Sequence, residues 1–161
     1  VGDLMLRGVI TYRGSPEVKA KAFRLILKEQ LREIVDFWHE KYLPRHFTKV
    51  GARDYKYKER SSTHMKKKIR QFHHDNPLVY SGDMKRLLER RIAISGTSKK
   101  AVGRLTGPRY LYQYRKDYNQ PHKADEVTRV VQPEVLVFAR RLDKKMTKRI
   151  NAIKTTQTKR F

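Results

Sequence analysis

The chain is 161 residues long and carries 39 Lys and Arg against 16 Asp and Glu, a formal net charge of +23. That length suits one domain, and a charge this large calls for an anionic partner or a high-salt setting, because self-repulsion otherwise weighs on the compact state. There is no cysteine, which excludes disulfide frameworks and thiolate metal sites, and no run approaches the ~18 apolar residues of a membrane span.

Val1–Arg7 lacks the charged-then-apolar order of a signal peptide, and Val1 is not a methionine, so the natural start is expected upstream or removed. Leu4–Tyr12 is short, apolar and β-branched towards its end, which predicts a strand. Arg13-Gly14-Ser15-Pro16-Glu17 then supplies a turn and a helix start, with Ser15 as N-cap and Pro16 in the first helical position. A helical stripe runs to Leu43 through Phe23, Ile26, Ile34, Phe37 and Trp38, widened by Leu27, Leu31, Val35 and Tyr42. Pro44 is expected to end it. So broad a face suggests either two packing partners, one of them another subunit, or a deeply buried helix.

The charge is uneven: residues 1–43 are nearly balanced, whereas 44–74 hold 10 basic and 2 acidic side chains. Arg45–Arg60 shows no clear period and predicts an extended basic arm, with Tyr55 and Tyr57 alternating with Lys56 and Lys58. Ser61 or Ser62 is placed to cap a short basic helix across Met65, Ile69 and Phe72, which His73-His74-Asp75-Asn76-Pro77 breaks. Pro77–Tyr80 predicts a strand-like entry to a second short helix, capped by Ser81 and packed through Met84, Leu87 and Leu88. The period then changes to two at Ile92 and Ile94, and Ser95–Lys100 is a turn into a return strand over Val102–Leu105.

Tyr110, Tyr112 and Tyr114 alternate as in a strand. Asn119-Gln120-Pro121 is loop, and Val127–Val131 is a weaker strand. Gln132-Pro133-Glu134 opens a last helix with the stripe Val135, Phe138, Ala139, Leu142, Met146, Ile150 and Ile153. Residues 155–161 are expected to fray. The sum is a single α+β domain over 1–161: a small, mostly antiparallel sheet with two long and two short helices, and a basic extended arm at about 44–74.

Catalytic sets are not apparent. His73 and His74 are adjacent and point about 100° apart on a helix, the wrong arrangement for one metal. A nuclease built on them and Asp75 ranks far behind the other readings. Asp125-Glu126 reads as a charged loop tip, and the glycines lack a phosphate-cradling pattern. Neither an enzymatic activity nor a cofactor is expected. Ten cations, Arg45, Lys49, Arg53, Lys56, Lys58, Arg60, Lys66, Lys67, Lys68 and Arg70, are candidates for contacting DNA or another anionic partner, with Tyr55 and Tyr57 stacking on bases.

Leu43-Pro44-Arg45-His46-Phe47 at a helix end, the Tyr55–Arg60 arm, and Pro77-Leu78-Val79-Tyr80-Ser81-Gly82-Asp83-Met84 follow one another in an order that resembles virion morphogenesis proteins of tailed bacteriophages. The resemblance is to the tail-completion and head–tail joining (neck) group. Ala124-Asp125-Glu126-Val127-Thr128-Arg129-Val130 before the final helix is also similar, and the matched pieces cover roughly residues 38–90 and 122–150. The resemblance implies a structural subunit, made in the host cytoplasm and assembled as a ring at the head–tail junction of the virion. Its partners would be further copies of itself, portal or adaptor and tail-tube proteins, and DNA passing through the channel, with no membrane. Phe23, Ile26, Leu27, Phe37, Trp38, Tyr55 and Tyr57 are then the expected subunit-interface residues. The alternative is a general nucleic-acid-binding protein that grips the phosphate backbone through its basic arm.

Overall fold

The computed structural model describes residues 3–6, 20–111 and 123–158. In chain order these form β1 (Asp3–Leu6), α1 (Ala20–Lys41), a 3-10 turn (Leu43–Phe47), α2 (Lys49–Asp54), α3 (Ser62–Phe72), α4 (Asp83–Leu88), β2 (Ala93–Gly96) and β3 (Ala101–Arg104). A second 3-10 turn (Arg109–Leu111), α5 (Lys123–Val127) and α6 (Gln132–Thr158) follow. The class is α+β, as the sequence indicates. Its helical part is richer than expected, because α2 lies in the segment assigned to the arm and α5 covers the Asp125-Glu126 pair read as a charged loop tip.

The residues cluster into two compact units. One holds Asp3 and the described residues of 37–93 and 104–131; the other holds the described residues of 4–36, 94–103 and 132–161.

In the second unit, α1 buries Ile26, Gln30, Leu31, Ile34 and Val35, a spacing of four, one, three and one that keeps them on one helical face. α6 answers with Glu134, Phe138, Leu142, Met146 and Ile150, one residue every four. Each fully buried aliphatic or aromatic side chain contributes about 1.5–3 kcal/mol. The expected stripe on α6 is corrected at its start. Val135 is 40% exposed and Ala139 is exposed, because the seam through Phe138 extends back to Glu134.

Glu33 pairs with Lys145, and Glu29 with Arg149, which also reaches Glu33 at 3.6 Å. Rising numbers on one helix meet falling numbers on the other, so α1 and α6 run antiparallel there. These half-exposed pairs contribute about 0–1 kcal/mol each and act mainly to set register. Partial burial alone would raise the Glu33 carboxyl, but the hydrogen bond and charge of Lys145, with Gln30 and Arg149 behind, hold it below its ordinary value.

The sheet order is β1-β3-β2. β2 and β3 form the expected antiparallel hairpin. Thr97 closes it, its N–H donating to the Lys100 carbonyl at 2.7 Å and its hydroxyl accepting from the Lys99 and Lys100 amides at 3.2 and 3.3 Å. Ala101 and Gly103 are buried while Arg104 is exposed, the alternation of a half-buried strand.

Three strand expectations change. Tyr110 lies in a 3-10 turn, and Val127 ends α5 with no strand following to Val131. The Pro77–Tyr80 run is a turn, with Leu78 in the left-handed region at φ 55°. Tyr112, Tyr114, the 119–121 loop and the Ser15–Glu17 helix start lie outside the described residues, as does the rest of the Leu4–Tyr12 strand beyond Leu6. The backbone of α6 continues to Thr158, past the point where fraying was expected.

Candidate functional site

The basic segment is folded, not extended. Pro44 cannot continue α1 and instead opens the 3-10 turn, in which Leu43, His46 and Phe47 are buried. Thr48 then caps α2, its hydroxyl accepting from the Gly51 amide at 3.0 Å and donating to the Arg45 carbonyl at 2.8 Å. Gly51 permits this closeness: a Cβ there would stand 1.9 Å from the Arg45 carbonyl oxygen. Lys56, at φ 53°, ends the helix by turning the chain left-handed.

That turn brings Tyr55 and Tyr57 to the same imidazole. Tyr55, 1% exposed, stacks on His46 with centroids 3.7 Å apart and planes 10° apart. Tyr57 accepts a hydrogen bond at its hydroxyl oxygen from His46 Nδ1 and donates to the Glu126 carbonyl at 3.1 Å. This order puts the imidazole proton on Nδ1 and leaves Nε2 buried without a partner. Burial pushes the His46 pKa down to about 3; the Glu126 carbonyl opposes, and the Arg45 and Arg129 charges add to the fall.

Glu126 is fully buried on α5 and its Oε2 is paired with Arg60. Arg129 donates to the Tyr55 carbonyl at 2.7 Å and to that of Lys56 at 3.3 Å. His46, Tyr55, Tyr57, Arg60, Glu126 and Arg129 thus form one internal polar cluster. With a neutral imidazole and a paired carboxylate closed off from solvent, its chemistry is that of a lock.

The predicted contact residues therefore divide. Tyr55 and Tyr57 are taken up inside the chain and are not free to stack on bases or on another subunit. Ile26 and Trp38, expected at an interface, are likewise buried within the chain, and Phe23, Leu27 and Phe37 are half-buried beside them. Among the cations, Arg60 holds Glu126, Arg45 and Arg53 meet Asp54 at 3.3 and 3.6 Å, and Lys49 meets Asp75 at 2.7 Å. Lys68 is 4% exposed and donates to the Asn76 carbonyl; burial lowers its pKa, with Asp75 opposing. Lys58 is exposed. Lys56, Lys66, Lys67 and Arg70 are exposed and make no ion pair among the described residues.

α3 presents these last three. Its cap is Ser61, one of the two serines the sequence offers, accepting from the His64 amide at 3.3 Å, and His73 ends it in the left-handed region at φ 55°. The next cap differs: Gly82, at φ 86°, precedes α4, while Ser81 donates to the Asp83 carboxylate at 2.7 Å. Met84 and Leu88 are buried as expected. His39, in the last turn of α1, joins the Leu88 carbonyl at 2.8 Å and fixes that end of α4.

Two aromatic groupings were missed. Tyr80 lies against Phe72, centroids 4.5 Å apart and planes 63° apart, and faces His64 at 5.8 Å and 29°. Lys123 stands 5.2 Å from the Tyr110 ring centre. Glu126 was missed too. The sequence reads Asp125-Glu126 as a charged loop tip, and nothing local encodes an ion-pair partner at Arg60. Among the described residues, no three His, Asp or Glu side chains gather where they could hold a metal ion, and no helix is long and apolar enough to cross a membrane.

No protein-family model matches the chain, and no curated protein or solved structure matches it.

Proposed function

We propose that this chain is a structural subunit of the tailed-phage head–tail junction, assembling as a ring between portal and tail and acting by packing. The observation that carries this reading is the outward apolar surface on the long helices. Leu25 of α1 is 56% exposed, and Val135, Leu136 and Val137 in the first turns of α6 are 40, 49 and 39% exposed. Consecutive apolar residues on a helix's solvent side are unfavourable for an isolated chain and suit burial against neighbouring copies. The motif order at Leu43–Phe47, Tyr55–Arg60 and Pro77–Met84 points the same way. Native mass spectrometry of the purified chain, with protein mass spectrometry of intact virions, tests it. A closed oligomer present in particles is expected; a monomer absent from them overturns it.

A second reading is favoured by the exposed Lys66, Lys67 and Arg70 on α3: the free subunit binds nucleic acid through phosphate contacts. Affinity for a DNA duplex should then fall steeply with salt, with a log–log slope of about −0.9 per phosphate neutralised. Negligible binding at about 150 mM salt removes this reading and leaves the assembly role standing.

A further inference from the structure

From the aromatic and basic groups that surround α3, we infer that His64, Tyr80 and Lys67 form a binding surface for single-stranded nucleic acid, one base lying on the Tyr80 ring and the flanking phosphates held by Lys67 and its neighbours. The inference rests on the nucleic-acid reading above and adds the site and the strandedness.

The Tyr80 ring is fixed before any ligand arrives. Phe72 packs against it in a T-shaped contact at 4.5 Å, its hydroxyl donates to Gln71 Oε1 at 3.0 Å, and the His64 ring faces it at 5.8 Å and 29°. The side chain nevertheless stays 37% exposed. A ring held by several neighbours and still partly exposed loses little freedom when a flat partner stacks on it. The setting is cationic. His64 is held below its ordinary pKa, first by partial burial and then by the charges of Lys68, Arg60, Lys123 and Lys67. Lys123 also stands over the 46% exposed Tyr110, which places a second open aromatic beside the same positive field. Asp83 is the acid at its margin, near enough to add to the rise in the Tyr110 pKa that burial causes, and it is itself paired with Arg86.

An exposed ring among cations selects a ligand that is anionic and has an open π-face. A duplex hides its base faces in the stack, whereas a single strand offers them together with phosphates. The pairing that alternating Tyr55 and Tyr57 suggested in the sequence is thus supplied elsewhere in the same unit, by rings that solvent reaches.

Fluorescence anisotropy of the full chain at about 100 mM salt, with a labelled oligothymidylate of about 20 nucleotides, the same strand without bases, and a duplex, tests the site. The thymidylate should bind about ten-fold or more tighter than the abasic strand. Tyr80→Ala should remove that advantage while leaving duplex affinity unchanged, and Tyr80→Phe should retain it. The NMR-measured His64 ring pKa should rise when the strand binds, as phosphates offset the surrounding cations. Equal binding of the thymidylate and abasic strands, or an unchanged affinity in a folded Tyr80→Ala variant, overturns the stacking site while duplex binding preserves the phosphate reading. Absence of binding to all three overturns both.

Discussion

His46 and Tyr55 lie face to face inside the chain, ring centroids 3.7 Å apart and planes 10° apart. Burial first, and then the charges of Arg45 and Arg129, keep this imidazole neutral. The basic segment is therefore organised around a histidine that must stay uncharged.

Acid should release this arrangement. The folded pKa of His46 is about 3, below the 6.5 of an unconstrained histidine, so its contribution is fully present above pH 6.5 and is lost as pH falls from there towards 3. Between pH 7 and 5 the loss from this group is about 2 kcal/mol. Urea titrations at both pH values should show a difference smaller by that amount in His46→Phe. An equal pH dependence in the two proteins would refute the assignment.

Arg60 and Glu126 should behave as a pair. Removing the guanidinium in Arg60→Met strands a buried carboxylate and should cost about 3 kcal/mol. Adding Glu126→Leu removes the stranded charge, so the double variant should recover much of the loss. Denaturant midpoints for the four members of the cycle measure the coupling.

The glycines at 51 and 82 should respond differently to alanine. At Gly51 the new Cβ meets the Arg45 carbonyl oxygen at 1.9 Å, and backbone must move, at a cost of about 3 kcal/mol. At Gly82 there is open space but φ is 86°, so only the left-handed penalty of about 1–2 kcal/mol applies. Thermal unfolding of both variants gives the order.

The apolar ridge on α6 should matter to association and hardly to folding. Leu136→Asp places a charge where Leu136 is 49% exposed. Stability should change by less than about 0.5 kcal/mol, while sedimentation velocity should show the assembled species lost.

How much of this was written locally can be judged residue by residue. Ser61 and the Thr97 turn were legible because caps and turns are chemistry between near neighbours. So were Met84 and Leu88, whose spacing of four defines a face. α2 was not, since a six-residue helix carrying Gly51 has too few turns to show a period, and its hold on Thr48 depends on a carbonyl that only the folded 3-10 turn presents. Tyr55 and Tyr57 misled because tyrosine serves equally as a buried ring or a surface one, and their alternation with Lys56 and Lys58 imitates an exposed strand. Val135 misled by one residue: the apolar seam of α6 begins at the buried Glu134, where charge concealed it.

The links from Tyr57 and Arg60 to Glu126 span 69 and 66 residues of chain. On a ribosome adding about 5–20 residues each second, several seconds separate the synthesis of the two sides. During that interval Tyr57 and Arg60 lack the carbonyl and the carboxylate of Glu126. Completion of the basic segment is thus timed by the emergence of α5, so a pause or truncation anywhere between Arg60 and Glu126 leaves the most positive part of the nascent chain open to whatever anion is nearest.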